Sequence, residues 1–233
     1  MNKFKSCLAY FTKGETALWG GSVCLVLGAY LLFDRQGHVV LAASLLGVTS
    51  LLFNAKGNPI GQVLMVAFSL LYGVVSWGFA YYGEMATYMG MTAPMSLFAL
   101  ASWLRNPYKG SRAQVAVQRL AARQVWVMAL LAVAVTAAFY FILRAFHTAN
   151  LLPSTLSVAT SFLAVYLTAL RSPYFALCYA ANDLILVALW VLASLQDKAY
   201  LSVAACFVVF LANDGYTFYN WRRMQKSQEG ARP

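Results

Sequence analysis

The stretch PYFALCYAANDLILVALWVLASL, residues 173–195, decides the fold, and PIGQVLMVAFSLLYGVVSWGFAYY, residues 59–82, is its counterpart in the first half. Each opens on a proline and runs on apolar for longer than the roughly 20 residues that a helix needs to cross a bilayer. Asp183 is the only charged residue in the pair. The whole chain follows the same pattern: 61% of its 233 residues are hydrophobic, 15% aromatic and only 10% charged. The mean hydropathy is +0.65. A soluble domain carries about 25% charged residues, so a soluble enzyme and a disordered chain are both excluded. Cys7, Cys24, Cys178 and Cys206 show no CxxC spacing and read as scattered small hydrophobes, not as a disulfide frame or a metal site.

Working outward, eight spans are expected, at about 16–33, 38–53, 59–82, 84–105, 125–146, 154–170, 173–195 and 199–221. Proline disfavours a helix interior, so Lys56-Gly57-Asn58-Pro59 and Arg171-Ser172-Pro173 mark turns. Charge tests the count. With eight spans, Lys3, Lys5, Lys13, Lys56, Arg105, Lys109, Arg112, Arg119, Arg123, Arg171, Arg222, Arg223, Lys226 and Arg232 share one side, against Arg35, Arg144 and Lys198 on the other. The positive-inside rule then places both termini in the cytoplasm. Phe33-Asp34-Arg35-Gln36-Gly37 offers no small-residue cleavage site, so the first span is expected to be retained. Trp19, Trp77, Tyr81, Tyr82, Trp103, Tyr108 and Trp221 sit near span ends as interfacial anchors. The basic stretch Lys109–Gln124 has arginines spaced for one helical face and is expected to lie along anionic lipid headgroups rather than nucleic acid.

Residues 38–105 and 154–223 match in outline. Each has a short opening helix with Thr49-Ser50 or Thr160-Ser161, a proline turn, a long second helix, an acidic turn (Glu84, Asp197), and a third helix ending Trp103-Leu104-Arg105 or Trp221-Arg222-Arg223. The offsets are 114 between the prolines, 113 between the acids and 118 between the tryptophans. A single span, 125–146, separates the copies, so they run parallel in a 1+3+1+3 chain. The expected divisions are 1–37 (N-terminus and extra helix), 38–108 (first bundle), 109–150 (basic loop and linking helix), 151–223 (second bundle) and 224–233 (tail). Such repeats place a substrate site at their interface near mid-membrane. The competing reading is a duplicated membrane scaffold or sensor.

Glu15, Asp34, Glu84, Asp197 and Glu229 fall in expected loops or tails; Asp183 and Asp214 alone enter spans, each after an asparagine in an Ala-Asn-Asp tripeptide. An intramembrane charge is costly and usually faces a cavity or a partner, so the two acids serve the pocket, link helices or carry protons. Tyr179, Asn182, Leu186 and Trp190 share a helical face, as do Asn213, Tyr216, Thr217 and Asn220; the first half offers Gln62, Ser69, Tyr72 and Ser76. Amide and aromatic faces together suit a flat ring bearing hydroxyls. The expected pocket is Asn182, Asn213, Trp190, Tyr179, Asp214 and Tyr216 with Gln62, Phe68 and Tyr72, and Pro59 and Pro173 as hinges. No lysine lies within a span, and Walker A, GxSxG and HExxH motifs are missing. No catalytic constellation, cofactor or metal site is expected; the reading is not an enzyme.

The 3+1+3 core, the proline turns, Asn182 and the Asn213-Asp214-Gly215…Trp221-Arg222 ending resemble the Pnu-type vitamin transporters over about 38–223. The resemblance implies a fold related to the SWEET sugar transporters and facilitated diffusion of an unphosphorylated vitamin precursor by alternating access. Nicotinamide riboside is the first expectation, with riboflavin or thiamine as alternatives. It further implies trapping by a cytoplasmic kinase in NAD biosynthesis, a bacterial inner-membrane location and a homotrimer. Asn182, Asn213, Gly215 and Trp221 carry the family pattern, whereas Leu64 or Val66 and about Ser96 stand where members often have asparagine.

Overall fold

A computed structural model describes residues 10–78, 81–148 and 150–231; Lys3, Lys5, Cys7 and Arg232 lie outside the described residues. The long helices are α1 (Lys13–Phe33), α2 (His38–Ala55), α3 (Ile60–Gly78), α6 (Ala122–Ala145), α7 (Leu151–Ala169), α8 (Phe175–Ser194) and α9 (Tyr200–Gly230). These seven are long and apolar enough to cross a membrane. The span expected at 84–105 is not one continuous α-helix. It is α4 (Tyr82–Thr87), a π-helical turn (Tyr88–Thr92) and α5 (Ala93–Arg105) joined end to end. Pro94 supplies the reason: it has no N–H for the carbonyl four residues back, and the turn before it widens so that Ala93 N–H bonds to Tyr88 O instead.

Three further expectations change. Glu84, placed in a loop, is 2% exposed within α4. The basic 109–124 segment is not helical until α6 begins at Ala122. It folds as a hairpin of β1 (Pro107–Tyr108) and β2 (Ser111–Val115), turned by Lys109 and Gly110 at φ 48° and 76°. Finally, α9 continues nine residues past 221 to Gly230.

The packing is reciprocal. Within the first copy α2 packs on α3 and α3 on α5; within the second, α7 packs on α8 and α8 on α9. Across the copies α2 lies on α9 and α7 on α5, so the first helix of each rests on the last helix of the other. Two tryptophans repeat this relation in hydrogen bonds. Trp221 Nε1 donates to Asn54 O (2.8 Å), and Trp103 Nε1 donates to Thr168 O (2.9 Å). The acceptors are 114 positions apart, the same offset as the prolines, and the indoles meet at 5.4 Å. The turns match as well: Gly57 and Arg171, two residues before each proline, have φ of 66° and 56°. The loop after α5 ties both turns together, Val115 N–H bonding to Gly57 O (2.9 Å) and Gln118 N–H to Arg171 O (3.1 Å). The Arg171 guanidinium fastens this junction through Ala116 O, Ser102 Oγ and Gln118 Oε1.

Helix α6 lies outside both groups with none of its apolar window buried, packed chiefly on α7. Helix α1 rests on α2 and α9. Its Thr12–Glu15 capping box ends it, and Glu15 also meets Lys56 Nζ (3.0 Å) and accepts from Tyr216 OH (2.9 Å).

Candidate functional site

A narrow cavity lies where the copies meet. Leu51 of α2, Met65 and Phe68 of α3 and Tyr88 and Thr92 of the π turn form one wall; Ser161 of α7, Tyr179, Asn182 and Asp183 of α8 and Phe210 and Asp214 of α9 form the other. Its free volume is about 20 Å³, room for about one water molecule. Small-molecule sites usually measure about 300–1,000 Å³, so the described conformation is contracted around its polar groups.

Those groups are held from behind. Ser157, Thr160 and Ser161 stand at helical spacing on one face of α7 and direct their hydroxyls at Asn182 Oδ1, at 3.1, 3.0 and 3.0 Å. The amide is thereby fixed with its carbonyl toward α7, and its NH2 is left to the cavity. Asp183 and Asp214 bring their carboxyls within hydrogen-bonding reach of each other. Asp183 Oδ2 and Asp214 Oδ1 have no hydrogen-bond partner among the described residues. Two acids facing one another in an apolar wall, with aromatic rings opposite, form a site that favours positive charge.

Toward the end away from the hairpin, an aromatic cluster caps the cavity. Phe68 stacks on Tyr72 (5.5 Å), Tyr72 lies 4.4 Å from Tyr88, and Trp190 Nε1 donates to Tyr72 OH (2.7 Å). Tyr81 and Tyr200 flank Trp190 at 4.7 and 5.7 Å. Toward the hairpin, the Trp103–Trp221 pair and Phe175 fill the space. The cavity therefore sits between two aromatic layers contributed by both copies.

Of the residues expected from sequence, Asn182, Tyr179, Asp214 and Phe68 line the cavity, and Tyr72 and Trp190 form its cap. Three are not brought to it. Asn213 Nδ2 donates to Ser22 Oγ of α1 (2.9 Å) and to Val209 O, because the residue after Asn182's counterpart in the tripeptide is the one that faces inward on α9. Tyr216 is engaged with Glu15, and Gln62 Nε2 donates to Asn54 Oδ1 (2.8 Å) between α2 and α3. Pro59 and Pro173 lie in the two matched turns just ahead of α3 and α8. Thr160-Ser161 entered the sequence reading only as a marker of the repeat, not as part of the site, and Ser157 and the wall residues Tyr88, Thr92 and Phe210 did not enter it. The Ser157/Thr160/Ser161 spacing was the available signal.

An all-helical bundle with a polar cavity between two repeats defines a polytopic membrane transporter, and comparison with known proteins agrees. The model of the family described as "Nicotinamide mononucleotide transporter" matches residues 37–223, and the chain belongs to that family. A curated relative, the nicotinamide riboside transporter PnuC of Neisseria mucosa, is 25% identical over 220 residues, covering 92% of this chain and 83% of the relative. The crystal structure of the vitamin B3 transporter PnuC shares the fold, with a TM-score of 0.81 at 21% identity over 94% of both chains. A transporter of this family is not an enzyme. The family match begins at residue 37, so α1 lies outside it.

Proposed function

We propose that this chain carries nicotinamide riboside across the bacterial inner membrane by facilitated diffusion, with α2–α5 and α7–α9 rocking against each other in alternating access. In this reading α4, the π turn and α5 together make one crossing, giving eight spans in a 1+3+1+3, SWEET-like arrangement with both termini cytoplasmic. The observation that carries it is the shared cavity itself: an amide held from behind, two adjacent carboxyls and stacked aromatics supplied by both repeats. Nicotinamide riboside is an N-glycosyl pyridinium, a flat ring with a fixed positive charge, a carboxamide and ribose hydroxyls. Asp183 and Asp214 complement the charge, Phe68, Tyr88 and Tyr179 the ring, and the Asn182 amide the carboxamide or a hydroxyl. The name of the Neisseria relative supports the same substrate.

Opening follows from the two turns. Each copy's second helix starts after a proline and a left-handed residue, so α3 and α8 can swing about Pro59 and Pro173 while the tryptophan brace holds the hairpin end. No ion gradient is needed, because phosphorylation by a cytoplasmic kinase in NAD biosynthesis removes free substrate; the working unit is a homotrimer. Thermal unfolding of the purified protein with nicotinamide riboside, nicotinamide, riboflavin and thiamine tests the reading. The riboside should stabilise most. A larger shift with thiamine or riboflavin would transfer the assignment to that vitamin, and no shift with any of them would favour a scaffold.

A further inference from the structure

A second cavity lies at the hairpin end, away from the shared one, and nothing in the transport reading uses it. It measures about 390 Å³ and is lined by the irregular segment Gln118–Leu120, the turn Ser172–Tyr174 ahead of α8, and Arg222, Gln225, Lys226 and Glu229 on the prolonged end of α9. That volume falls within the range of small-molecule sites. Three features point to one chemistry. First, the charge is positive. Arg119 is taken up by Glu229 (2.6 and 2.7 Å), which leaves Arg222 and Lys226 as the excess. Second, Ser172 on the floor is 1% exposed, and its hydroxyl has no hydrogen-bond partner among the described residues. Third, α8 begins here at Phe175, so the positive end of a 20-residue helix dipole faces the same space. Tyr174 adds a half-exposed ring, with the Arg222 guanidinium 5.7 Å from its centroid. A hydroxyl, two cations and a helix N-terminus around one hollow suit a phosphate group, and the ring beside them suits a base or pyridine plane.

We propose that this cavity binds a phosphate monoester attached to a flat ring, as in a mononucleotide, at the foot of the second-repeat hinge. Only its cytoplasmic placement and its physiological meaning rest on the transport reading. There, the phosphorylated form of the cargo would accumulate on this side. By bridging the 118–120 segment, the Pro173 turn and α9 it would hold together three parts that must shift when α8 swings, and so slow transport as product builds up. A phospholipid headgroup offers the same phosphate chemistry from a different source.

The test is thermal unfolding of the full chain in detergent with nicotinamide riboside saturating, adding nicotinamide mononucleotide or inorganic phosphate. The mononucleotide should raise the midpoint further and phosphate less so. An Arg222→Gln/Lys226→Gln variant should weaken mononucleotide binding about tenfold or more, while Arg112→Gln, on the hairpin outside the cavity, should bind as before. In parallel, nanodiscs of phosphatidylglycerol are compared with phosphatidylcholine. Stabilisation by the anionic lipid alone, lost in the double variant, keeps the phosphate site and assigns it to a headgroup. No added stabilisation from any of these ligands, or an equal response in the double variant, overturns the proposal. A mononucleotide response that persists when the riboside itself gives none would retain this site and reject the transport assignment instead.

Discussion

Replacing Asn182 by leucine separates the two jobs that its amide performs. On the α7 side, its Oδ1 receives three hydroxyls. Thr160 keeps an alternative in Leu156 O (3.0 Å) and Ser157 also reaches the Glu84 carboxyl, so Ser161, 2% exposed, is the donor that loses its partner. Interhelical hydrogen bonds in membrane proteins average about 0.6 kcal/mol with a maximum near 1.7. The expected loss of stability is therefore about 0.6 kcal/mol, and at most about 1.7. For a protein of this size that lowers Tm by about 1–2 °C, with about 7 °C as the ceiling. On the cavity side the variant removes one neutral donor, about 0.5–1.5 kcal/mol, which raises the Kd for nicotinamide riboside about 2- to 13-fold. Ser161→Ala is the matching control: it removes the α7 donor that has no other partner and leaves the amide. Thermal unfolding and titration calorimetry of both variants should show similar stability losses and different affinities. Unchanged riboside affinity in Asn182→Leu, with the unmodified protein binding normally, would refute the assignment of this amide to the substrate.

Trp103→Phe and Trp221→Phe should each lower stability by about 1–3 kcal/mol, because each loses a buried indole hydrogen bond and part of the ring's packing, while the acceptor carbonyls keep the Arg171 and Gly57 N–H groups. The indoles touch, so a double-mutant cycle should give a coupling of about 0.5–1.5 kcal/mol, and strict additivity would contradict the brace. Lys56→Met takes the cation from the buried Glu15 carboxylate, which keeps Thr12 N–H and Tyr216 OH as donors, and should cost about 1–3 kcal/mol; Lys56→Met/Glu15→Gln should recover much of it, and no recovery would remove the ion pair as the cause. Gly47 faces Phe210, and a methyl there would run into the ring. Gly47→Ala should cost about 1–3 kcal/mol and weaken riboside binding, because Phe210 is a wall of the shared cavity; an alanine variant of normal affinity would place that ring outside the substrate's reach.

The repeat was legible because it rests on chemistry that leaves a mark in one dimension: prolines that stop helices, tryptophans that need a buried acceptor, and the constant spacing between them. The left-handed residue before each proline follows from the same turn. Asn182 and the adjacent acids were legible because polar groups are rare in an apolar span. The reading failed where the answer depends on rotation about a helix axis. Asn213 and Asp214 are neighbours, about 100° apart on α9, and only packing decides that the aspartate faces the cavity while the asparagine reaches Ser22 on α1. Glu84 misled because an acid next to tyrosines at a span end reads as interfacial, whereas α4 turns inward before the π segment. The 109–124 segment carries helix-compatible spacing at Arg112, Arg119 and Arg123; its hairpin is held where Val115 bonds back to Gly57 in the first copy's turn, a contact with no local signature.

The most direct test of the account is uptake of labelled nicotinamide riboside by sealed proteoliposomes containing only this protein. Accumulation should rise to equality with the outside concentration, stop there without an imposed pH or sodium gradient, and fall sharply when Asp183 and Asp214 are both changed to asparagine. Uptake no faster than in protein-free vesicles would contradict the account.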